Sequence, residues 1–295
     1  MKPRGLEPSL SQLRSPTANL DDRPLGRILI DMGRLRPRDI DRIFTLHRER
    51  GLRFGEAARK LRLVTDSDVQ QALAIQFNYP YLKPGQGALS EELVAAHEPF
   101  DPQTEVLREL RTRLLLEFFS GESRVLAIVS TDPRDGRSYL AANLAVAFAQ
   151  LGEKTLLVDA DLRFPRQHRI FGQTNGPGLA QALAGRGGLD AAERVSYFES
   201  LWLLGAGAAP PNPLELLSRA TFAGLLAEAR RVFRIVIVDT PAAARGADGR
   251  LTASRADGVL LVARPNRTRL ADLERICGAA LAGPTRLVGA VLNSV

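Results

Sequence analysis

Six short, almost uninterrupted apolar runs in the last two thirds of the chain set the strongest limit on its fold. They are "RVLAIVS" (124–130), "KTLLVDAD" (154–161), "LWLLGAG" (201–207), "FRIVIVDT" (233–240), "GVLLVAR" (258–264) and "LVGAVLN" (287–293). A strand with one face in water alternates apolar and polar residues. A run that is apolar at nearly every position has both faces buried, as parallel strands covered by helices do. Amphipathic helical stretches separate most of these runs. The expected class is α/β: a doubly wound, mostly parallel sheet preceded by a small helical domain, with ligands at the carboxyl ends of the strands.

Ahead of the sheet the pattern changes. Residues 1–22 are polar and proline-bearing and read as a disordered tail. "LGRILIDMGRLRPRDIDRIFTL" from Leu25 and "FGEAARKLRLVTDSDVQQALAI" from Phe54 form a diverged repeat, in which Gly26 matches Gly55, Asp39 matches Asp68 and Ile40 matches Val69. Each copy reads as a short helix, a turn and a second helix, with Pro37 early in one second helix and Thr65 capping the other. A helical domain is expected over 23–82, a linker over the Pro- and Gly-bearing 83–98, and the sheet domain over 99–295.

Composition excludes several classes. The net charge is +7, but only Lys2, Lys60, Lys83 and Lys154 are lysines, and no basic tail or lysine-rich block points to nucleic acid. Cys277 is the single cysteine, so no internal disulfide forms. No apolar run reaches the ~18 residues of a membrane span, and the start lacks the apolar core of a signal peptide. The expected location is cytoplasmic.

"STDPRDGRS" (130–138) lies between the first strand and a helix, where a phosphate-binding loop works through backbone N–H groups, a helix N-terminus and a nearby cation. Asp132, Pro133, Arg134, Asp135, Gly136, Arg137, Ser138 and Tyr139 are the candidate nucleotide-binding residues. Arg137 stands where such a loop has lysine, and Arg134 where it has glycine. Ser138 is placed to ligate Mg²⁺. The second run ends in Asp159 and Asp161, two apart and on one strand face, followed by Arg163, Pro165 and His168. The fourth ends in Asp239, suited to holding Mg²⁺ through water. These carboxylates and the loop, in this order, point to an Mg²⁺-dependent nucleoside triphosphatase.

With these residues in this order the chain resembles the bacterial tyrosine kinases of exopolysaccharide chain-length control (EpsG-type), within the deviant-Walker ATPases that include ParA and MinD. The resemblance covers about 101–295 and includes "GAGAAPPNPLELL", "ADGVLLVARPNRT" and "VGAVLN". It implies a P-loop fold, ATP and Mg²⁺ as cofactors, and Asn293 near the base. It further implies a catalytic set of Arg137, Asp159 and Asp161, with either aspartate as the base, and a metal set of Ser138, Asp161 and Asp239. "EVLRELRTRL" carries E-x-x-R-x-x-R as Glu105, Arg108 and Arg111 on one helix face, the family's ring-forming motif. The implied partner is a membrane chain-length regulator (Wzz-like) whose cytoplasmic tail recruits the kinase to the inner membrane. The amino-terminal repeat resembles the N-terminal domain of type II secretion and pilus ATPases. In that domain Arg53, Gly55 and Gln76 would mark a candidate cyclic di-GMP site; the first copy lacks the arginine and the glutamine. The implied function is a tyrosine autokinase, with Tyr79 or Tyr81 the acceptors nearest the linker. Two alternatives stand beside it: an ATP-dependent assembly switch with little or no phosphoryl transfer, and a ParA-like partitioning ATPase.

Overall fold

The structure, a computed structural model, describes residues 24–77, 82, 87–281 and 283–294. The tail over 1–22, and Tyr79 and Tyr81, lie outside the described residues. The chain divides between Pro80 and Tyr81 into two compact units.

Among the described residues the smaller unit holds four helices: α1 (Leu25–Asp31), α2 (Ile40–Arg50, entered through a 3₁₀ turn at Pro37–Asp39), α3 (Phe54–Lys60) and α4 (Asp66–Gln76). Gly51 ends α2 with φ 63°, a left-handed conformation suited to glycine. At the start of α4 the Thr65 hydroxyl accepts the Asp68 N–H at 3.1 Å, and the Asp68 carboxylate accepts the Thr65 N–H at 3.0 Å, satisfying two otherwise orphaned donors. Ile28, Leu29, Ile43, Ala57, Ala58 and Ala72 form the core. The two copies of the repeat clasp each other reciprocally. Gly26 of the first faces Ile40 of its own copy and Phe54 of the other; Gly55 of the second faces Val69 and Leu25 in the same way. In the repeat alignment these are equivalent positions, so the two hairpins exchange contacts about a local pseudo-twofold axis.

The larger unit is built on seven strands: β1 (Arg124–Ser130), β2 (Thr155–Asp159), β3 (Glu193–Arg194), β4 (Leu201–Leu204), β5 (Ile235–Asp239), β6 (Gly258–Ala263) and β7 (Arg286–Leu292). Their order across the sheet is β3-β4-β2-β5-β1-β6-β7, and all pairs are parallel except β3 with β4. The six apolar runs are the six long strands. The two-residue β3 carries no apolar run, and the sequence pattern does not signal it.

Helices cover both faces: α5 (Val94–His97), α6 (Pro102–Glu117), α7 (Arg137–Ala149) and α8 (Gln167–Ile170), then α9 (Leu179–Leu183), α10 (Pro213–Ser218), α11 (Ala220–Val232), α12 (Asp248–Ser254) and α13 (Leu270–Leu281). Alternate β1 residues divide between two cores. Leu126 and Ile128 join α5–α7 on one face, while Val125, Ala127 and Val129 join α9–α13 on the other. The resulting fold is the expected doubly wound α/β sheet. Among the described residues no helix is long and apolar enough to cross a membrane.

The described part of the stretch read as linker, 87–98, is packed into this unit. Leu93, Ala95 and Ala96 are fully buried, and Asn143 Oδ1 of α7 accepts the Ala95 N–H at 3.0 Å. Pro and Gly at 84–87 suggest a loose segment, but the following Leu-Val-Ala-Ala run has apolar surface to bury, and it does so.

A valine at Gly26 would place its Cβ 2.9 Å from Phe54 Cζ and 3.3 Å from Ile40 Cδ1. Gly26→Val is expected to destabilise the small unit by about 1–3 kcal/mol through overpacking. Urea unfolding of the full chain should then show an earlier phase that leaves the transition of the larger unit in place.

Candidate functional site

The loop between β1 and α7 is fixed by its own side chains. Gly136 takes φ 100°, and a Cβ there would lie 1.9 Å from Asn293 Nδ2, so only glycine fits. The same Asn293 nitrogen donates to the Asp135 carbonyl at 2.9 Å, tying the end of β7 to the loop. Asp135 is fully buried; its Oδ2 accepts the Asp132 N–H at 2.9 Å. Arg134 adopts φ 70°. The backbone keeps the left-handed conformation that glycine normally provides, although the residue is arginine.

Arg137 opens α7 and is buried. Its Nε donates to the Thr240 carbonyl at 2.8 Å, and its Nη1 to Ser130 Oγ at 2.5 Å and the Asp132 carbonyl at 3.0 Å. One planar guanidinium thus joins β1, the loop and the residue after β5. Lysine, with a single nitrogen, lacks this fork.

Beneath the loop, β2 and β5 are paired in register with Asp159 opposite Asp239, and both are fully buried. Asp159 accepts three backbone N–H groups: Asp161 at 3.2 Å on Oδ1, and Arg166 at 3.0 Å and Gln167 at 2.9 Å on Oδ2. Burial, followed by the Asp239 charge, raises its pKa well above the ordinary carboxylate range, against the pull of the Gln167 N–H. Burial also raises that of Asp239, opposed by the Arg137 charge and by hydrogen bonds from Gln167 and Ser138. Asp161 is 6% exposed, and its Oδ1 accepts the Phe164 N–H at 3.0 Å. Loop, Ser138 and the carboxylates expected to share a site therefore do meet.

Two members of this region were not legible in the sequence. Gln167, fully buried at the start of α8, donates from Nε2 to Asp239 Oδ2 at 2.7 Å and to the Ser138 carbonyl at 3.1 Å. With its N–H on Asp159 it links β2, β5 and α7. The run "RFPRQH" gives no periodicity that would single it out. Asp248, buried on α12, binds Arg163 Nε at 2.6 Å and anchors the segment after Asp161.

The chemistry fits a divalent cation. Asp239 Oδ1 is buried with no hydrogen-bond partner, and two adjacent carboxylates are poorly neutralised by one arginine. Among the described residues no three His, Cys, Asp or Glu side chains form a ligand set by themselves. A cation here would be held by Ser138 and Asp239, with Asp161 nearby, and completed by phosphate oxygens or water, as Mg²⁺ usually is.

The other expected residues fall in three places. Tyr139, half-buried, lines a cavity of about 200 Å³ with Gln103, Leu140, Leu292 and Asn293. On α6, Arg108 Nη1 pairs with Glu105 at 3.1 Å, while Arg111 Nη1 turns inward to the Ala147 carbonyl at 3.1 Å. The three thus do not present one uniform outward face. In the small unit Arg53 is exposed, Gln76 is half-buried, and Gly55 is spent on packing against Val69.

Two outcomes follow from this geometry. Arg134→Gly should stabilise the chain by about 1 kcal/mol, because a left-handed conformation costs a residue with a Cβ roughly that much; thermal unfolding measures it, and a lower Tm contradicts it. The raised carboxylate pKa values make the metal-free fold bind protons more tightly than the unfolded chain. Their contribution is therefore full below the ordinary aspartate value near 4 and is lost as pH rises through the raised values. Asp239→Asn should flatten that slope in Tm against pH, and Mg²⁺ with ADP should reverse it in the unmodified chain.

No protein-family model matches the chain. It is 35% identical over 205 residues to tyrosine-protein kinase YwqD of Bacillus subtilis, covering 70% of this chain and 86% of that protein. It is 30% identical over 204 residues to tyrosine-protein kinase wzc of Salmonella typhimurium, covering 69% of this chain but spanning only 28% of that protein. The kinase domain of the Escherichia coli tyrosine kinase ETK superposes with a TM-score of 0.67 at 30% identity, over 72% of this chain and 84% of that one. With its loop, its paired strand-end aspartates and these relatives, the chain belongs to the family of bacterial tyrosine-protein kinases.

Proposed function

We propose that the chain is an Mg²⁺-ATP-dependent tyrosine autokinase that regulates the polymerisation or export of an exopolysaccharide. The observation that carries the reading is the convergence of Ser138, Asp159, Asp161 and Asp239 beneath a strand–loop–helix turn, in a chain of this family. The triphosphate would lie along the loop, with the base toward Asn293 and the cavity beside it. Mg²⁺, when bound, would neutralise charge developing on the phosphates. The tyrosine hydroxyl oxygen would bond to the γ-phosphorus as the bond to the β–γ bridging oxygen breaks, and ADP would leave. Asp161 is the better placed of the two aspartates to take the hydroxyl proton. Both oxygens of Asp159 already accept backbone N–H groups, whereas Asp161 accepts one on Oδ1 alone.

Assembly and location belong to the same proposal. Glu105 and Arg108 on α6 support a homo-oligomeric ring, with Arg111 bracing the end of α7 from within. A membrane chain-length regulator would recruit the ring from the cytoplasm to the inner membrane through its cytoplasmic tail. The small unit is proposed as a docking module resembling those of type II secretion ATPases. Cyclic di-GMP is its candidate ligand through Arg53 and Gln76, while Gly55 serves the packing. The domain limits remain those proposed from the sequence, with residues 87–98 reassigned to the kinase unit.

The assembly-switch alternative turns on Arg137, whose guanidinium already has three protein acceptors. To grip a γ-phosphate it must release some of them. Incubation of the full chain with labelled Mg²⁺-ATP, with and without the partner's cytoplasmic tail, followed by phosphotyrosine detection, separates the two readings. Label on tyrosine supports the kinase; nucleotide-dependent assembly without label supports the switch.

Arg137→Lys should keep ATP affinity within about tenfold, or ~1.4 kcal/mol, and should raise phosphoryl transfer, because a compact ammonium follows a moving phosphoryl group more readily than a tethered fork. It should also lower Tm through lost loop contacts. Slower transfer by the lysine variant, measured in single-turnover kinetics, would mean that the site is built around arginine.

A further inference from the structure

Beside the phosphate loop lies a recess of about 550 Å³ lined by Asp132, Pro133, Arg134, Arg245, Arg267, Arg269 and Asp272. Its four arginines come from three separate segments: the loop after β1, the turn after β5 and the turn after β6. All four are exposed. Elsewhere in the unit, arginines such as Arg163, Arg166, Arg230 and Arg275 are matched to carboxylates. Among the described residues none of the four in the recess carries an ion pair; of the two carboxylates that line it, Asp272 is already paired with Arg275, and Asp132 accepts the Thr131 hydroxyl at 3.0 Å, so the arginines outnumber the acids by two. Four like charges around one concavity repel one another, and a multiply charged anion relieves that repulsion.

Two details narrow the anion. The Arg245 guanidinium carbon lies over the Phe164 ring, 3.8 Å from its centroid, and Phe164 is itself more than half exposed. The recess thus offers planar, fork-shaped donors suited to phosphate oxygens with an aromatic surface at its border. Arg134 holds its place with φ 70°, a conformation that glycine would adopt more easily. The recess shares Asp132, Pro133 and Arg134 with the loop, but not Gly136, Ser138 or the three buried aspartates. It therefore adjoins the cradle formed by Gly136, Ser138 and the aspartates without coinciding with it.

We propose that this recess is a phosphotyrosine seat, which holds the aryl phosphate dianion of the tyrosyl product beside the loop where the transfer takes place. The proposal rests on the tyrosine-kinase reading above and extends it to a product-recognition site. A chain that retains its product in this way couples the phosphorylation state to occupancy of a surface next to the nucleotide.

The test uses ready-made ligand, so it does not depend on whether the chain transfers phosphate. The full chain, saturated with Mg²⁺-ADP to fill the nucleotide site, is titrated by calorimetry with N-acetyl-O-phosphotyrosine amide. Parallel titrations use inorganic phosphate, N-acetyl-O-phosphoserine amide and an unphosphorylated Glu-Tyr copolymer. Phosphotyrosine should bind in the presence of ADP, and more tightly than phosphoserine or inorganic phosphate. The double variant Arg267→Ala, Arg269→Ala should weaken it by about tenfold or more, as loss of charge-assisted bonds does, with ADP affinity unchanged. Phe164→Ala should weaken phosphotyrosine more than phosphoserine. No binding, displacement by ADP, equal binding of the copolymer, or an unaffected double variant would each overturn the assignment. A phosphotyrosine signal from a chain that shows no label transfer would sink the kinase reading while leaving the seat.

Discussion

Two carboxylates forced side by side govern this molecule. Parallel pairing of β2 with β5 sets Asp159 directly opposite Asp239 at the ends of both strands, without exposure to water. Like charges in such a place are costly, and much of the surrounding construction compensates for them. Three backbone N–H groups converge on Asp159. Gln167 donates to Asp239, and Arg137 supplies a charge beside it. The compensation is incomplete: one oxygen of Asp239 is left without a partner. A polar atom kept dry and unsatisfied is a strain that a cation would relieve, which ties the fold of the sheet centre to its chemistry.

The loop above that pair is fixed by its own side chains and by the end of β7. Gly136 is irreplaceable because Asn293 lies against it. Arg134 takes a left-handed conformation, with φ 70°, that glycine adopts more easily. Arg137 gives the loop a tether that lysine lacks. Arg134 sends a guanidinium outward to the recess that it shares with Arg245, Arg267 and Arg269.

Much of the fold was legible because apolar runs buried on both faces can serve few other purposes. The six long strands and Thr65 as a helix cap followed from periodicity and local chemistry. Where legibility ended, the causes are physical. The edge strand β3 is two exposed residues long and carries no burial pattern. Residues 87–98 carry loop-like Pro and Gly just ahead of an apolar run, and tertiary packing, not propensity, decided their place. In the site, Asp159 and Asp239 announce themselves by type and strand-end position, Asp161 by its spacing from Asp159, and Ser138 by its place at the start of α7. Gln167 matters only through where α8 begins, and Arg111 turned inward because the carbonyl end of α7 lay within reach. Neither is encoded in spacing along one element.

A crystal structure of the full chain with Mg²⁺ and ADP tests the central claim most directly. The account predicts the cation between Ser138 and the unpartnered Oδ1 of Asp239, with the phosphates over Gly136 and the base beside Asn293. A nucleotide bound elsewhere, or phosphates on the loop with no cation near Asp239, would contradict it.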